Sequence, residues 1–239
     1  MRFSSDQIQK IGKEISSKVD GKTLFDEFSR GRYSTDASVY QIKPLGVVLP
    51  KDTNDVLNLM EYSQKNSIPL LARGGGSSQC GQTVGESVVL DYSKHQNKIL
   101  ELNVKEKYVW VQPGVVLDHL NSFLRPYGLW FPVDVSTSSR ATIGGMSANN
   151  SCGSRSLYYG NMVHNVLAIE AILDDGSLHT FDQINKNYLT TTNNQDRFYK
   201  IIDKFLNLRQ KVSKDIDENW PTTQRRVGGY NICLLYTSD

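Results

Sequence analysis

At 239 residues the chain is long enough for one large domain or two smaller ones with a substantial core. A formal net charge of +2, with 22% charged and 38% hydrophobic residues, describes an ordinary water-borne polypeptide and gives no reason to invoke nucleic acid or an anionic membrane. Apolar runs such as Leu45–Leu49 are too short to span a bilayer, no apolar signal opens the chain, and neither the scattered histidines nor Cys80, Cys152 and Cys233 show metal-ligand or disulfide spacing, so a cytoplasmic, metal-free protein is expected.

Ile8, Ile11, Ile15 and Val19 recur at spacings of three and four and predict an amphipathic helix. Gly46–Leu49 reads as a short buried strand. Asp52 then caps a helix with Asp55 in its first turn and Val56, Leu59, Met60 and Ser63 on its inner face. Pro69–Ala72 is the next strand, which makes a strand–helix–strand unit. Strands are expected over Val88–Leu90, Ile99–Leu102 and Tyr108–Val111. A helix over Val115–Leu124, with Val116, Leu117, Leu120 and Leu124 apolar, ends at Pro126. Val166–Leu173 is apolar apart from Glu170, and Asp175-Gly176 is a hairpin turn signal before Leu178–Phe181. Asn187–Asn194 is a polar linker. Phe198, Ile201, Phe205, Leu208, Val212 and Ile216 then predict a long amphipathic helix ending before Pro221. The residues thus describe two small α/β lobes followed by the start of a further element.

Two stretches stand apart from this pattern. Arg73-Gly74-Gly75-Gly76-Ser77-Ser78-Gln79-Cys80-Gly81-Gln82 follows a strand, and consecutive glycines leave backbone N–H groups uncovered and positive φ accessible. Such a loop suits phosphate or pyrophosphate as an anion nest, and on its own it also reads as a flexible turn. It is not a Walker A loop, because Gln82 stands at the lysine position and a strand, not a helix, follows. The Rossmann fingerprint fails at Gln79, which stands where the third glycine belongs.

The second stretch runs from Pro132 to Gly153 and is poor in large side chains. It suits close approach of backbone to a long ligand, with hydroxyls and amides as hydrogen-bonding groups, or else a surface loop. Thr142 is placed to cap a short helix whose N-terminus would face phosphate.

The glycine loop, Pro132-Val133-Asp134, Ala141-Thr142-Ile143-Gly144-Gly145 and Tyr159-Gly160…Val166…Glu170…Asp175-Gly176 occur in an order and spacing that resemble the FAD-binding domain of the vanillyl-alcohol oxidase/p-cresol methylhydroxylase (PCMH) superfamily. Within it the chain is most similar to the bacterial FAD-linked D-2-hydroxyacid dehydrogenases, the D-lactate, glycolate and D-2-hydroxyglutarate group. The resemblance implies an α+β fold of two lobes, each a small sheet with flanking helices. Residues 44–185 would be the FAD-binding domain, in lobes of about 44–111 and 112–185. A helical extension over 1–43 would precede it, and the start of a truncated substrate or cap domain over 186–239 would follow.

The same resemblance implies that Gly74, Gly75, Gly76, Ser77 and Ser78 hold the FAD pyrophosphate, with Arg73 as a phosphate neighbour. Gly81 and Gln82 would sit near the ribityl chain or flavin. Pro132, Ser136, Thr142, Gly144, Gly145, Asn150, Ser151 and Gly153 would line the opposite side, and Val166 would offer its backbone to adenine. Relatives with covalent flavin carry histidine directly after the glycine run; Ser77 occupies that position here and His95 reads as an exposed loop residue, so non-covalent FAD is expected. Gln224–Asn231 resembles the entry to the substrate domain, where Arg225 or Arg226 would neutralise a substrate carboxylate and Tyr230 and Asn231 would face the flavin, unless this is a turn with solvated arginines. After Asn231 the resemblance stops, and Cys233–Asp239 is expected to be a truncation scar or a foreign tail.

The implied reaction is oxidation of a D-2-hydroxy acid to a 2-oxo acid with hydride transfer to flavin N5 and onward passage of electrons to a separate acceptor. No residue is named as the base; Asp134 lies in the right region but reads as a structural carboxylate. The alternatives are an FAD-binding fragment without turnover and a same-fold sugar oxidase or enolpyruvyl-sugar reductase.

Overall fold

The computed structural model describes residues 3–183 and 197–223. The expected linker Asn187–Asn194 and the segment Gln224–Asp239, with Arg225, Arg226, Tyr230 and Asn231, lie outside the described residues. The chain divides into two compact units, Met1–Asn165 with Ile172–Ser177, and Val166–Ala171 with Leu178–Asp239.

The first unit opens with helix α1 (Ser5–Ser16), whose capping box joins Ser4 and Gln7 and whose inward stripe is Ile8, Ile11 and Ile15. Strand β1 (Lys22–Leu24) and helix α2 (Glu27–Arg32) follow. Strand β2 (Gly46–Leu49), helix α3 (Thr53–Asn66) and strand β3 (Leu70–Arg73) form the expected strand–helix–strand unit. The sheet order is β1-β2-β4-β3, so strand β4 (Val88–Asp91) inserts between the two strands of that unit. β4 is parallel to both neighbours, with Val47 opposite Val89 and Leu71 opposite Val89, while β1 runs antiparallel to β2.

Every residue of β2 and β4 is buried. This explains their unbroken apolar sequence: a parallel sheet covered on both faces has no solvent side to alternate toward. On one face Ile8, Ile15, Val56, Leu59 and Tyr62 pack with Val48, Val88 and Leu90. The 1–43 segment is therefore not an appendage. It supplies α1 to this core and β1 to this sheet, and buried Arg30 donates from Nε to the Pro44 carbonyl at 2.8 Å.

Asp52 caps α3 as expected, accepting from the Asn54 N–H at 2.9 Å. Asp55 does more than complement the helix dipole. It is 3% exposed, and its carboxylate accepts from the N–H groups of Asp20 (2.7 Å), Gly21 (2.9 Å) and Lys51 (2.7 Å). This one side chain fastens the entries of β1 and α3 together. On the inner face of α3, buried Tyr62 was not anticipated; its hydroxyl donates to Glu14 on α1 at 2.6 Å.

Strands β5 (Ile99–Asn103) and β6 (Tyr108–Val111) form a separate antiparallel ladder. Helix α4 (Leu117–Leu124) covers a small core of Val115, Leu120 and Leu124 against Ile99, Leu102, Val109 and Val111. Pro126 lies in a 3-10 turn that ends at Gly128, where φ is +68°. Short helices α5 (Ile143–Ala148), α6 (Ser156–Tyr159) and α7 (Met162–Asn165) follow. The boundary between the two compact units falls after Asn165.

Strand β7 (Ile169–Ile172) pairs with β8 (Leu178–Phe181) across the predicted turn, where Gly176 takes φ +82°. In the second unit the long helix Arg197–Asn219 brings Phe198 into a stacked contact with His179, centroids 4.6 Å apart, and an edge contact with Phe181 at 5.0 Å. Its expected apolar stripe is only partly used: Ile216 is buried and Ile201 and Val212 half-buried, whereas Phe205 and Leu208 are exposed, and Ile202, outside the stripe, is buried. A two-stranded ribbon is too narrow to cover six turns of helix.

Replacing Asp55 with alanine strands three backbone donors in a buried site, and a loss of roughly 3 kcal/mol or more is expected. Asp118→Ala in the exposed first turn of α4 should cost about 0.3–1 kcal/mol. Urea unfolding of both variants tests this; equal midpoints would refute the fastening role of Asp55.

Candidate functional site

The glycine loop is the connection from β3 to β4. Parallel neighbours need a crossover, usually a helix. Here residues 74–87 make the crossing with no helix or strand of their own, so the loop is held by neighbours rather than by internal ladders.

The chief neighbour is the second small-residue stretch. A Cβ on Gly74 would lie 2.0 Å from Thr142 Oγ1, and one on Gly75 would lie 2.2 Å from the Arg140 carbonyl oxygen. Gln82 Nε2 also donates to Asn149 Oδ1 at 3.0 Å. The two small-residue stretches therefore lie backbone against backbone. Much of their smallness serves this mutual approach.

What the loop leaves over is a row of donors. Among the described residues, none of the backbone N–H groups of Gly74, Gly75, Gly76, Ser77 and Ser78 donates to another protein atom. Gly76 and Gly81 take φ of +63° and +73°, the left-handed turns that let such a row curve. The Ser78 hydroxyl is used inside the loop, donating to the Gln82 side chain and accepting from the Cys80 N–H at 3.2 Å. Cys80 and Gln82 are exposed.

Arg73 is engaged by protein acceptors. Its Nη1 donates to the Thr83 carbonyl at 3.2 Å, its Nη2 to the Thr35 carbonyl at 2.9 Å, and its guanidinium lies 5.2 Å from the Tyr33 ring centre. A Cβ on Gly76 would fall 2.4 Å from Arg73 Nη2, so the loop wraps the guanidinium. The group spans the loop from entry to exit.

On the opposite side Thr142 is the N-cap of α5, accepting from the Gly145 N–H at 3.4 Å. The N–H groups of this helix end have acceptors within the protein. The Ile143 and Gly144 N–H groups donate to the Val115 and Pro113 carbonyls, at 2.8 and 2.9 Å, and Gly145 to its cap, so the first turn is already satisfied. Gly144 backs onto Pro113, whose Cβ would be 2.5 Å from an added methyl. Gly153 likewise turns toward protein, 1.5 Å being left between a would-be Cβ and the Asp134 carbonyl oxygen. Asn150, at φ +44°, accepts from the Val163 N–H at 3.1 Å, and Ser151 bridges Met146 and Met162 through its backbone. Gly145 and Ser136 are exposed, and Pro132 is half-buried. Val166 belongs to the second unit.

Asp134 is a structural carboxylate. Burial pushes its carboxyl up, but the Ser154 hydroxyl (2.8 Å) and the Arg155 N–H (3.0 Å) outweigh this and hold it below the usual carboxylate range. His95 is exposed.

Three contributors were missed from sequence. Tyr40 packs on Gly81, where a Cβ would lie 2.6 Å from the ring. Asp36 accepts from the Thr83 hydroxyl at 3.0 Å, and Asn149 holds Gln82. Asn149 adjoins Asn150, a predicted site residue, and was within reach; Asp36 and Tyr40 precede the loop by some forty residues and carry no local signal.

A family model described as FAD binding domain matches residues 44–182. The chain is 36% identical over 219 residues to a D-2-hydroxyglutarate dehydrogenase of Haemophilus influenzae, covering 86% of this chain and 21% of that protein. With the Escherichia coli D-2-hydroxyglutarate dehydrogenase it shares 34% identity, over 92% of this chain and 22% of the relative. A glycolate oxidase subunit of Bacillus subtilis is 34% identical, over 72% and 37% respectively. The chain thus spans about a fifth of the length of the dehydrogenases it matches. Among solved structures, an alkyldihydroxyacetonephosphate synthase superposes with TM-score 0.63 at 21% identity, over 75% of this chain and 35% of that one. A 6-hydroxy-D-nicotine oxidase of Arthrobacter nicotinovorans superposes with TM-score 0.61 at 16% identity, over 69% and 36%. These likenesses speak for the fold.

The packing roles of the two α5 glycines separate on substitution. Gly144→Ala forces a methyl into Pro113 and should cost about 1–3 kcal/mol. Gly145→Ala meets only the Thr142 hydroxyl at 3.2 Å and gains helix propensity, so it should be at least about 1 kcal/mol less damaging. Thermal unfolding of both variants checks the order.

Proposed function

Because this chain belongs to the FAD binding domain family, we propose that the row of uncommitted N–H groups from Gly74 to Ser78 holds the FAD pyrophosphate, in a protein that oxidises a D-2-hydroxy acid to its 2-oxo acid. The observation that carries the reading is that row. Five adjacent donors without protein acceptors match the diphosphate in charge and in hydrogen-bonding type, and backbone donors to a charged oxygen give bonds about twice as strong as neutral ones. FAD supplies the two-electron acceptor for the oxidation.

The chain's own residues bind and orient. Gly81 and Gln82, fixed by Tyr40 and Asn149, continue the loop toward the ribityl chain. Gly145, Ser136 and Pro132 are the residues of the facing stretch best available to a ligand. Thr142, Gly144, Asn150, Ser151 and Gly153 support it from behind. Val166 is assigned to adenine, and Arg225 or Arg226, with Tyr230 and Asn231, to the substrate carboxylate and flavin face. The names of the dehydrogenase relatives support a small hydroxy acid as substrate, and electrons leave to a separate acceptor. The cytoplasm is the proposed setting; no helix among the described residues is long and apolar enough to cross a membrane.

The engagement of Asp134 with Ser154 and Arg155 favours a second reading, a flavin-binding unit with no turnover of its own. Reduction of an artificial electron acceptor by D-2-hydroxyglutarate, D-lactate or glycolate separates the two.

Two outcomes are expected of the cofactor itself. FAD should bind at least about tenfold more tightly than riboflavin, since each hydrogen bond to the charged diphosphate is worth about 1.5–3 kcal/mol. Flavin fluorescence titration measures this, and equal affinities would remove the diphosphate from the site. Acid precipitation should release all flavin, because the Ser77 hydroxyl cannot form a histidyl link; colour left in the washed pellet would overturn the non-covalent assignment.

A further inference from the structure

The loop that carries the uncommitted donors has little of its own to hold its shape. Among the described residues, its stretch from residue 74 to 82 is bonded internally from Ser78 to Gln82 and from Cys80 to Ser78. Two of its glycines sit at positive φ, and glycine loses more freedom on being fixed than any other residue. Its N–H groups from Gly74 to Ser78 make no bond to protein that would add to its hold.

Besides the packing of Gly74 and Gly75 on Arg140–Thr142, the loop has fixed points on residues 33–40. Thr35 offers its carbonyl to Arg73 at 2.9 Å, and Arg73 reaches across to Thr83. Asp36 accepts from the Thr83 hydroxyl at 3.0 Å and from the Thr83 N–H at 3.4 Å. The other Asp36 oxygen accepts from the Ser38 N–H at 2.8 Å, which folds the segment back on itself. Tyr40 lies against Gly81. The segment is itself anchored, since the Tyr33 hydroxyl donates to buried Asp91, at the end of β4, at 2.6 Å. The sheet is thus tied to both ends of the loop through a strand-free stretch that the family match, beginning at residue 44, does not include.

We propose that residues 33–40 clamp the phosphate loop in its binding shape, with Asp36 and Arg73 as positioning residues, so that FAD affinity depends on side chains the cofactor never touches. This rests on the diphosphate reading of Gly74–Ser78. Asp36 gives the proposal a sign that electrostatics alone would reverse. Burial pushes the Asp36 carboxyl up, yet its bonds to Ser38 and Thr83 hold it below the usual carboxylate range, so it is an anion at neutral pH. A fixed negative charge beside an anion site repels the ligand. Its presence is accounted for by the bonds it accepts: a preorganised loop loses less freedom on binding.

The test is FAD titration of the 239-residue chain carrying Asp36→Ala, Asp36→Asn or Thr83→Val. Asp36→Ala should bind FAD about fivefold to tenfold more weakly, the worth of one or two hydrogen bonds. Asp36→Asn keeps an acceptor oxygen and should recover part of the loss, although both variants remove the same charge. Limited proteolysis without FAD should quicken within residues 74–87 and stay unchanged in β2 and β4. A general loss of stability would quicken all of them and would overturn the clamp. Unchanged or tighter FAD binding by Asp36→Ala, while the unaltered chain binds FAD, would also overturn it. If Asp36→Ala does not fold, Thr83→Val decides by the same two measurements. An unaltered chain that fails to bind FAD would instead bring down the diphosphate reading, and the clamp with it.

Discussion

Two backbones in contact, Gly74-Gly75 on Arg140–Thr142, set the terms for the rest of this site. A methyl at either glycine would lie within about 2.2 Å of an oxygen in the facing stretch, so no other residue allows the approach. That approach turns the β3–β4 crossover into a ledge along the facing stretch. It also decides which polar groups remain over. The facing stretch commits its own N–H groups to Val115, Pro113 and Thr142, and the glycine loop keeps its N–H groups uncommitted. Adjacent donors without protein acceptors, gathered in one short and partly exposed loop, are open to an acceptor from outside.

Asp55 and Arg73 show the same division of labour at two places. Each is a charged side chain at the end of a regular element, and each joins a backbone group near it in sequence, Lys51 or Thr83, to one far away, Asp20 or Thr35. Charge-assisted bonds to backbone are strong enough to join loops that share no ladder. Arg73 is engaged in this way with the Thr83 and Thr35 carbonyls, whereas the N–H groups of Gly74–Ser78 have no protein acceptor among the described residues.

Periodicity made the regular elements legible. The Ile8–Ile15 stripe, the unbroken apolar strands, the Asp52 cap and the Asp175-Gly176 turn all depend on neighbours within a few residues. The ordered small-residue motifs also made the family legible, because their identity and spacing are sequence properties. What stayed hidden was every relation across the fold. Nothing near Lys22 announces that it starts an edge strand opposite Leu49, and nothing near Asp36 announces Thr83. Phe205 and Leu208 failed in the other direction: their helical spacing is real, but spacing shows a face and not what lies against it.

The smallness of a residue therefore carries two meanings in this chain, and only geometry separates them. Gly144, Gly153, Gly74 and Gly75 are small because protein stands where a side chain would go. Gly145 has open space beyond its cap, and Gly76 is small because its φ is positive and a guanidinium fills the turn. The distinction governs what a substitution can teach. Gly75→Val would drive a branched side chain into the Arg140 carbonyl and separate the two stretches, so weaker FAD binding would follow whether or not Gly75 touches phosphate. A change to the ligand, such as FMN in place of riboflavin, leaves the packing intact and adds a single phosphate for the donors to meet. For a site made of backbone, the chemistry of the partner is a cleaner variable than the chemistry of the side chain.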